Sequence, residues 1–482
     1  MGAPDGGGAA VRGAADEGAD GDGRGAGRPG GGGSDAGGCD VRGSEVMRCL
    51  FPVADGRDTP KAAQPPVRPS PPLTLRDRSD ASRLRARERG ASVGRSSPDR
   101  QEGASAVVTL CKPAVAVPEH VITMEETLDL ARARHADHPQ LPLALRLIGN
   151  TGVAKRHIVQ PIERTLEHPG FQERNELYEA EAKARVPAVV EEALGNAGLR
   201  PADIDMIVYV SCTGFMMPSL TAWMINTMGF PSHTRQMPIA QLGCAAGGAA
   251  INRAHDFCTA YPDANVLIVA CEFCSLCYQP TDLGVGSLLS NGLFGDAVAA
   301  AVVRGRGGSG IALERNDSHL VPDTEDWIAY SVRETGFHFL LDKRVPTTME
   351  PLAPALREIA GAHGWDAGNL DFYIIHAGGP RILDDLSLFL EVPPDAFRFS
   401  RATLTEYGNI ASAVVLDAVR RLFEEGGQPE GARGILAGFG PGITAEMCLG
   451  RWTAAAQPAE PPLAARRIVG YSPRFQHARS RA

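Results

Sequence analysis

The chain carries one local pattern twice. Ala197-Gly198, Asp203-Ile204-Asp205 and Met206-Ile207-Val208-Tyr209 are matched by Ala362-His363-Gly364, Asn369-Leu370-Asp371 and Phe372-Tyr373-Ile374-Ile375. Each copy reads as a helix end, a turn, an apolar–acidic pair and a strand. The strands are continuously apolar rather than alternating, as expected when both faces of a sheet are covered. Runs at 266–270, 298–303 and 434–437 have the same character, and 125–134 and 179–197 read as helices, the second closing at Gly198. This alternation predicts an α/β protein of two similar halves, with a crevice between them where strand ends from both converge.

At 482 residues the chain is long enough for one large domain or two ordinary ones. Residues 1–106 fit neither. Gly fills 17 of the first 50 positions, and 62–100 are rich in Pro, Arg and Ser. Such a composition buries too little apolar surface to offset ordering entropy, so 1–106 is expected to be a disordered extension. Ordered sequence begins abruptly at Val107, and a valine codon can serve as a bacterial start, which leaves open whether that extension is natively translated. Residues 107–303 are expected to form the first half and 304–454 the second, with 455–482 a flexible tail.

A net charge of −9 and a pI near 5.8 give no basic field for nucleic acid. No run of about 18 apolar residues offers a membrane span, and the N-terminus lacks an apolar secretion core, so a cytoplasmic protein is expected. Ten cysteines are too sparse for a disulfide scaffold. Cys271, Cys274 and Cys277 have C-x-x-C spacing, but no fourth cysteine follows nearby and Cys271 continues an apolar strand. Reduced core thiols are the expected reading, and no metal.

Three polar residues stand at the ends of apolar runs among small neighbours. Cys244 follows the run 237–240 in Gln241-Leu242-Gly243-Cys244-Ala245-Ala246-Gly247-Gly248, at a strand-to-helix turn whose amides and helix dipole favour thiolate. His376 ends Phe372-Tyr373-Ile374-Ile375, and Asn409 lies in Glu406-Tyr407-Gly408-Asn409-Ile410. Taken singly, each has a plain structural reading: a core thiol, a satisfied core histidine, a turn asparagine. Together, with Cys244 in one half and the other two in the second, they are what acyl transfer through a thioester needs.

At these residues, and across 107 to about 452, the chain resembles the type III polyketide synthases, the chalcone synthase-like family of the thiolase superfamily. Gly438-Phe439-Gly440-Pro441-Gly442 matches the family's late glycine loop, which lines the active site and is more specific than the triad. The resemblance implies a thiolase-like fold, a duplicated αβαβα arrangement in five layers. It also implies a homodimer that uses malonyl-CoA and no cofactor, because decarboxylation drives the condensation. Within the family the residues are most similar to a bacterial subgroup. That subgroup builds a pentaketide from malonyl-CoA alone and cyclises it to 1,3,6,8-tetrahydroxynaphthalene, a pigment precursor.

Roles carry over by position. Cys244 is the implied nucleophile, paired with His376, and His376 and Asn409 stabilise the enolate formed as CO₂ leaves. Phe294 matches the gatekeeper between CoA tunnel and cavity, with Phe337 a second candidate. Met217 matches a methionine that crosses the dimer into the partner's cavity. Tyr330 matches a tyrosine associated with malonyl starters, Cys212 a second active-site cysteine, and Ala411 a small wall residue. Arg146, Lys155 and Arg156 fall in the region that binds CoA phosphates. The alternatives are a type III synthase with a fatty acyl starter making pyrones or resorcinols, a ketoacyl synthase III-like enzyme, and, from another class, a non-catalytic partner subunit. The last loses the nucleophile, which is present here.

Overall fold

A computed structural model describes residues 107–453. The expected extension 1–106 and tail 455–482 lie outside the described residues. A ten-stranded mixed sheet runs in the order Phe372–Ile375, Arg433–Gly440, Thr444–Thr453, Gly310–Leu320, Thr109–Leu110, Asp296–Arg304, Asn265–Phe273, Met206–Val210 and Arg235–Ile239, with Ala114–Ala116 added on Asp296–Arg304. The short strand Thr109–Leu110 pairs antiparallel with both Asp296–Arg304 and Gly310–Leu320, and so joins two half-sheets.

The duplicated pattern is a duplicated topology. Met206–Val210 pairs parallel with Asn265–Phe273, which pairs antiparallel with Asp296–Arg304. Phe372–Ile375 likewise pairs parallel with Arg433–Gly440, which pairs antiparallel with Thr444–Thr453. Helices Ala246–Ala260 and Ala413–Glu425 touch each other and strands of both half-sheets, so they form the middle layer. Phe171–Ala197 covers the outer face of one half-sheet, and Met349–Ala362 the outer face of the other. The order helix, sheet, helix, sheet, helix is the expected five-layer arrangement.

The unbroken apolar runs have their cause here. In Asn265–Phe273, Val266, Ile268 and Ala270 face the middle-layer core, while Leu267, Val269, Cys271 and Phe273 face Tyr178, Ala182 and Val186 of the outer helix. Each fully buried Val, Leu, Ile or Phe side chain among these stabilises the fold by about 1.5–3 kcal/mol. Elements extend beyond the expected bounds: the helix expected at 179–197 starts at Phe171, and that at 125–134 spans Met124–Arg134 behind a Thr123–Glu126 capping box. The run expected at 237–240 is the edge strand Arg235–Ile239. The hairpin Ile328–Arg333 with Gly336–Leu341, a separate two-stranded sheet, had no forecast in the sequence.

Candidate active site

The middle layer places the nucleophile candidate. Edge strand Arg235–Ile239 ends, the chain turns through the single 3-10 turn Gly243–Ala245, and helix Ala246–Ala260 follows directly, so Cys244 stands at a helix N-terminus between the halves. The small residues around it are required by close approach. Gly243 has φ +49°, and a Cβ there would meet Pro441 at 2.7 Å. A Cβ on Gly247 would stand 2.1 Å from the Ser412 carbonyl oxygen, and one on Gly248 2.6 Å from that of Glu446.

The glycine loop acts on that turn from the opposite half. A Cβ on Gly440 would lie 2.5 Å from the Ala245 nitrogen, and one on Gly438 2.9 Å from its oxygen. Phe439, Gly440 and Pro441 line the cavity, whereas Gly438 and Gly442 do not. Gly438 belongs to the strand that presses on the turn, and Gly442 supplies a positive φ of 62°. The loop is therefore as much a brace for Cys244 as a wall.

Cys244, His376 and Asn409 line one largely apolar cavity of about 1000 Å³. His376 follows strand Phe372–Ile375, held by its amide donating to the Ala437 carbonyl at 2.8 Å, and is 2% exposed. Asn409 precedes helix Ala413–Glu425. Its Oδ1 accepts the Ala411 amide at 2.9 Å, which commits the side-chain amide nitrogen to the other direction, and its side chain hydrogen-bonds the Cys244 thiol. Ala411 lines the same cavity with a φ of 48°.

The expected resting thiolate meets an opposing effect. Burial, and then the charge of Glu272, push the Cys244 thiol up to about 12, outweighing the Asn409 hydrogen bond and the thiol's own backbone amide. Burial alone pushes His376 down to about 4. Its Nδ1 is buried with no hydrogen-bond partner among the described residues, so none of their carboxylates supports an imidazolium through it. Neither group charges alone in the empty cavity. Burial thus keeps both groups uncharged at rest, on the wall of one cavity.

Sequence reasoning missed Glu272. This carboxyl is fully buried, and burial raises its pKa. It accepts from Ser412 Oγ at 2.5 Å, Thr213 Oγ1 at 2.9 Å and the Cys212 amide at 3.0 Å. The continuous strand around it hid the signal: a charged residue inside an apolar run. Cys212, Cys274 and Cys277 join Cys244 in the cavity wall. Tyr330 lines it too; its phenol hydrogen-bonds Cys277 and is pushed well above its usual pKa by burial. Among the described residues no group of three His, Cys, Asp or Glu is arranged for a metal.

Phe294 lines the cavity at the end of helix Val285–Leu293 and packs edge-to-face on Phe339, with ring centroids 5.3 Å apart. Phe337 is not in the cavity lining. It lies nearer the hairpin turn and packs on Phe171 at 5.3 Å, so Phe339, not Phe337, stands beside Phe294 in the cavity wall. Met217 is 85% exposed and lies outside its own cavity.

The three CoA-phosphate candidates are corrected. Arg156 is buried, donating to the Phe294 carbonyl at 3.1 Å and to Thr127 Oγ1 at 2.8 Å, so its guanidinium is committed to holding the Phe294 backbone. Arg146 and Lys155 are exposed and do not line the cavity. The cations that do are Arg134, Lys343 and Arg381, together with the buried Arg156.

Comparison with known proteins agrees with this geometry. Residues 94–307 match the chalcone and stilbene synthases, N-terminal domain, and 312–452 the C-terminal domain of the same family. The chain is 80% identical over 349 residues to a 1,3,6,8-tetrahydroxynaphthalene synthase of Streptomyces coelicolor, covering 72% of this chain and 93% of that one. A phloroglucinol synthase of Pseudomonas fluorescens is 46% identical over 348 residues, covering 72% and 99%. The crystal structure of the 1,3,6,8-tetrahydroxynaphthalene synthase from Streptomyces coelicolor superposes with a TM-score of 0.71 at 81% identity, covering 72% of this chain and all of that one. Duplicated halves, a nucleophile turn braced by the late glycine loop and a match over both domains lead to one conclusion: the chain belongs to the chalcone and stilbene synthase family, the type III polyketide synthases.

Proposed function

We propose that this enzyme condenses malonyl-CoA, as starter and extender, into a pentaketide and cyclises it to 1,3,6,8-tetrahydroxynaphthalene. The observation that carries the reading is the cavity itself. One apolar chamber holds a thiol, an imidazole and a carboxamide, with the packed pair Phe294 and Phe339, Tyr330 and Cys212 in its wall. The 80% identity to a synthase of that name supports the product.

Cys244 passes its proton to His376 as sulfur attacks the thioester carbonyl of a malonyl-CoA, and the imidazolium returns the proton to the departing CoA thiolate. The next malonyl-CoA places its thioester oxygen against donors from His376 and Asn409. As the carbon–carboxylate bond breaks and CO₂ leaves, its electron pair becomes an enolate held by those donors. The enolate carbon attacks the Cys244 thioester, the sulfur leaves, and the lengthened CoA ester is recaptured by Cys244 for the next round. The apolar wall excludes water that would protonate the enolate. This chemistry calls for no cofactor.

The phosphates of CoA fall to Arg134, Lys343 and Arg381, which stand where the cavity wall reaches the surface helices and loops. The working unit is a homodimer, supported by the exposed apolar pair Phe215 and Met217, with Met217 reaching the partner's cavity. A cytoplasmic location suits the free cysteines, and no helix among the described residues is long and apolar enough to cross a membrane. The test is incubation of the purified protein with malonyl-CoA alone. An aromatic pentaketide of the expected mass supports the reading; turnover only with a long acyl-CoA replaces it with the fatty starter.

A further inference from the structure

The gate is built from two elements that share no strand pairing. One is the hairpin Ile328–Arg333 with Gly336–Leu341, which carries Tyr330 and Phe339. The other is helix Val285–Leu293, which ends in Phe294 and is led in by the loop 278–284. The hairpin is a two-stranded sheet outside the main sheet. Such a ribbon is marginally stable by itself, so its position depends on outside ties.

The hairpin packs on Phe171 through Phe337 and on the turn Pro441–Ile443, and its polar ties reach the loop that leads into the gate helix. His338 is 2% exposed, and its Nδ1 lies 2.8 Å from Asp282 Oδ2. A carboxylate only accepts, so Nδ1 carries the proton, and Nε2 faces the Thr335 hydroxyl at 2.7 Å. Gln279 Nε2, from the same loop, donates to the Thr335 carbonyl at 2.9 Å and to that of Phe337 at 3.2 Å. The helix start touches the hairpin end directly: a Cβ on Gly286 would lie 3.2 Å from Leu341 Cβ. A buried polar pair is directional and fixes one register.

Thr335, His338 and Asp282 have the connectivity of a nucleophile, base and orienting acid. The space beside Thr335 is only about 10 Å³, too small for an acyl group. Their role is mechanical.

We propose that the His338–Asp282 pair, completed by Thr335, is a clasp that sets the spacing between Tyr330 and Phe339 on one side and Phe294 on the other. That spacing determines how many malonyl units the chain gains before it cyclises. His338, outside the cavity lining, is a positioning residue, and Asp282, in the cavity wall, positions it. The proposal rests on the malonyl-condensing reading above. With the clasp intact the aromatic wall stays closed around the lengthening chain; with it broken the hairpin shifts and shorter chains escape as lactones.

The experiment compares wild type, Asp282→Ala, His338→Ala and the conservative His338→Asn, each with malonyl-CoA alone. It records total CoA release, the product distribution by mass spectrometry and the melting temperature. The expected result is a fall of roughly tenfold in the ratio of pentaketide to triketide and tetraketide products in both alanine variants, with CoA release falling far less. His338→Asn, which keeps a donor toward Asp282, recovers most of the ratio. An unchanged ratio in the alanine variants overturns the clasp, and so does a parallel loss of CoA release and pentaketide. If His338→Ala does not fold, Asp282→Ala decides by the same readouts. A wild type that makes no pentaketide overturns the malonyl reading first, and the clasp with it.

Discussion

Phe294 and Asn409 are joined by backbone. They form an isolated parallel bridge in which the Asn409 amide donates to the Leu293 carbonyl at 2.9 Å and the Gly295 amide to the Asn409 carbonyl at 3.1 Å. The aromatic proposed as the gate, from the first half, and the carboxamide proposed for the reaction centre, from the second, are thus held in one register. Movement of either is felt by the other.

Gly295→Ala tests that bridge. A Cβ there would stand 2.2 Å from the Tyr407 carbonyl oxygen, a backbone atom that cannot step aside. The variant is expected to lose about 2 kcal/mol or more of stability and to lower kcat severely. Phe294→Leu keeps the bridge and is expected to fold normally while altering the product ratio. Thermal melts and product analysis of the two variants separate the effects.

Gly440→Ala tests the brace on the nucleophile turn. The added methyl would collide with the Ala245 nitrogen, and displacing Cys244 by about an ångström is expected to cost on the order of 100-fold in condensation rate. Gly427→Ala is the control, since a Cβ there meets nothing within 4 Å. Its φ of 73° brings only local backbone strain, so kcat should hold.

The pH profile follows from the two buried partners. His376, held down to about 4, stays neutral above that pH, and Cys244, pushed up to about 12, stays a thiol below that. Internal proton transfer does not change the net proton count, so inactivation by iodoacetamide is expected to be flat across neutral pH, with its acid limb below the ordinary imidazole range. Stability carries the matching sign. The folded His376 value lies below the unfolded one, so its contribution is full above about 6.5 and is lost as pH falls toward about 4. Cys244 lies above its unfolded value, so its contribution is full below about 9 and is lost as pH rises toward about 12. An inactivation profile rising steeply through pH 6.5 would contradict this.

The cations separate binding from chemistry. Arg134→Glu, Lys343→Glu and Arg381→Glu are each expected to raise KM for malonyl-CoA by roughly tenfold, the value of one charge-assisted hydrogen bond, with kcat little changed. Arg146→Glu and Lys155→Glu, which lie off the cavity, are expected to leave KM within about twofold. Steady-state kinetics at two salt concentrations checks both, since the first group loses its effect as salt rises.

The strands that build the site were legible because both their faces are buried, which leaves unbroken apolar runs such as 266–270 and 372–375. The edge strand Arg235–Ile239 alternates and is half-exposed, so only part of it showed. Cys244 and His376 stood out because each follows an apolar run among small residues, and the structure places both, with Asn409, on the wall of one cavity. The hairpin was not, because its short strands are amphipathic and its ties reach a loop about 56 residues away in sequence. Lys155 and Arg156 misled for a simple reason. They are neighbours in one strand, so they point to opposite faces, one to solvent and one into the core. Phe337 and Phe339 share a face, and only their distance from the turn decides which meets the cavity.

The most direct test of the central claim is the fate of malonyl-CoA on wild type and on Cys244→Ala, followed by mass spectrometry of intact protein quenched early and of the products. An acyl adduct on Cys244 in wild type is predicted. The variant should show no adduct and no condensed product, while malonyl-CoA is still slowly decarboxylated to acetyl-CoA by His376 and Asn409. Pentaketide formation by Cys244→Ala at the wild-type rate would contradict it.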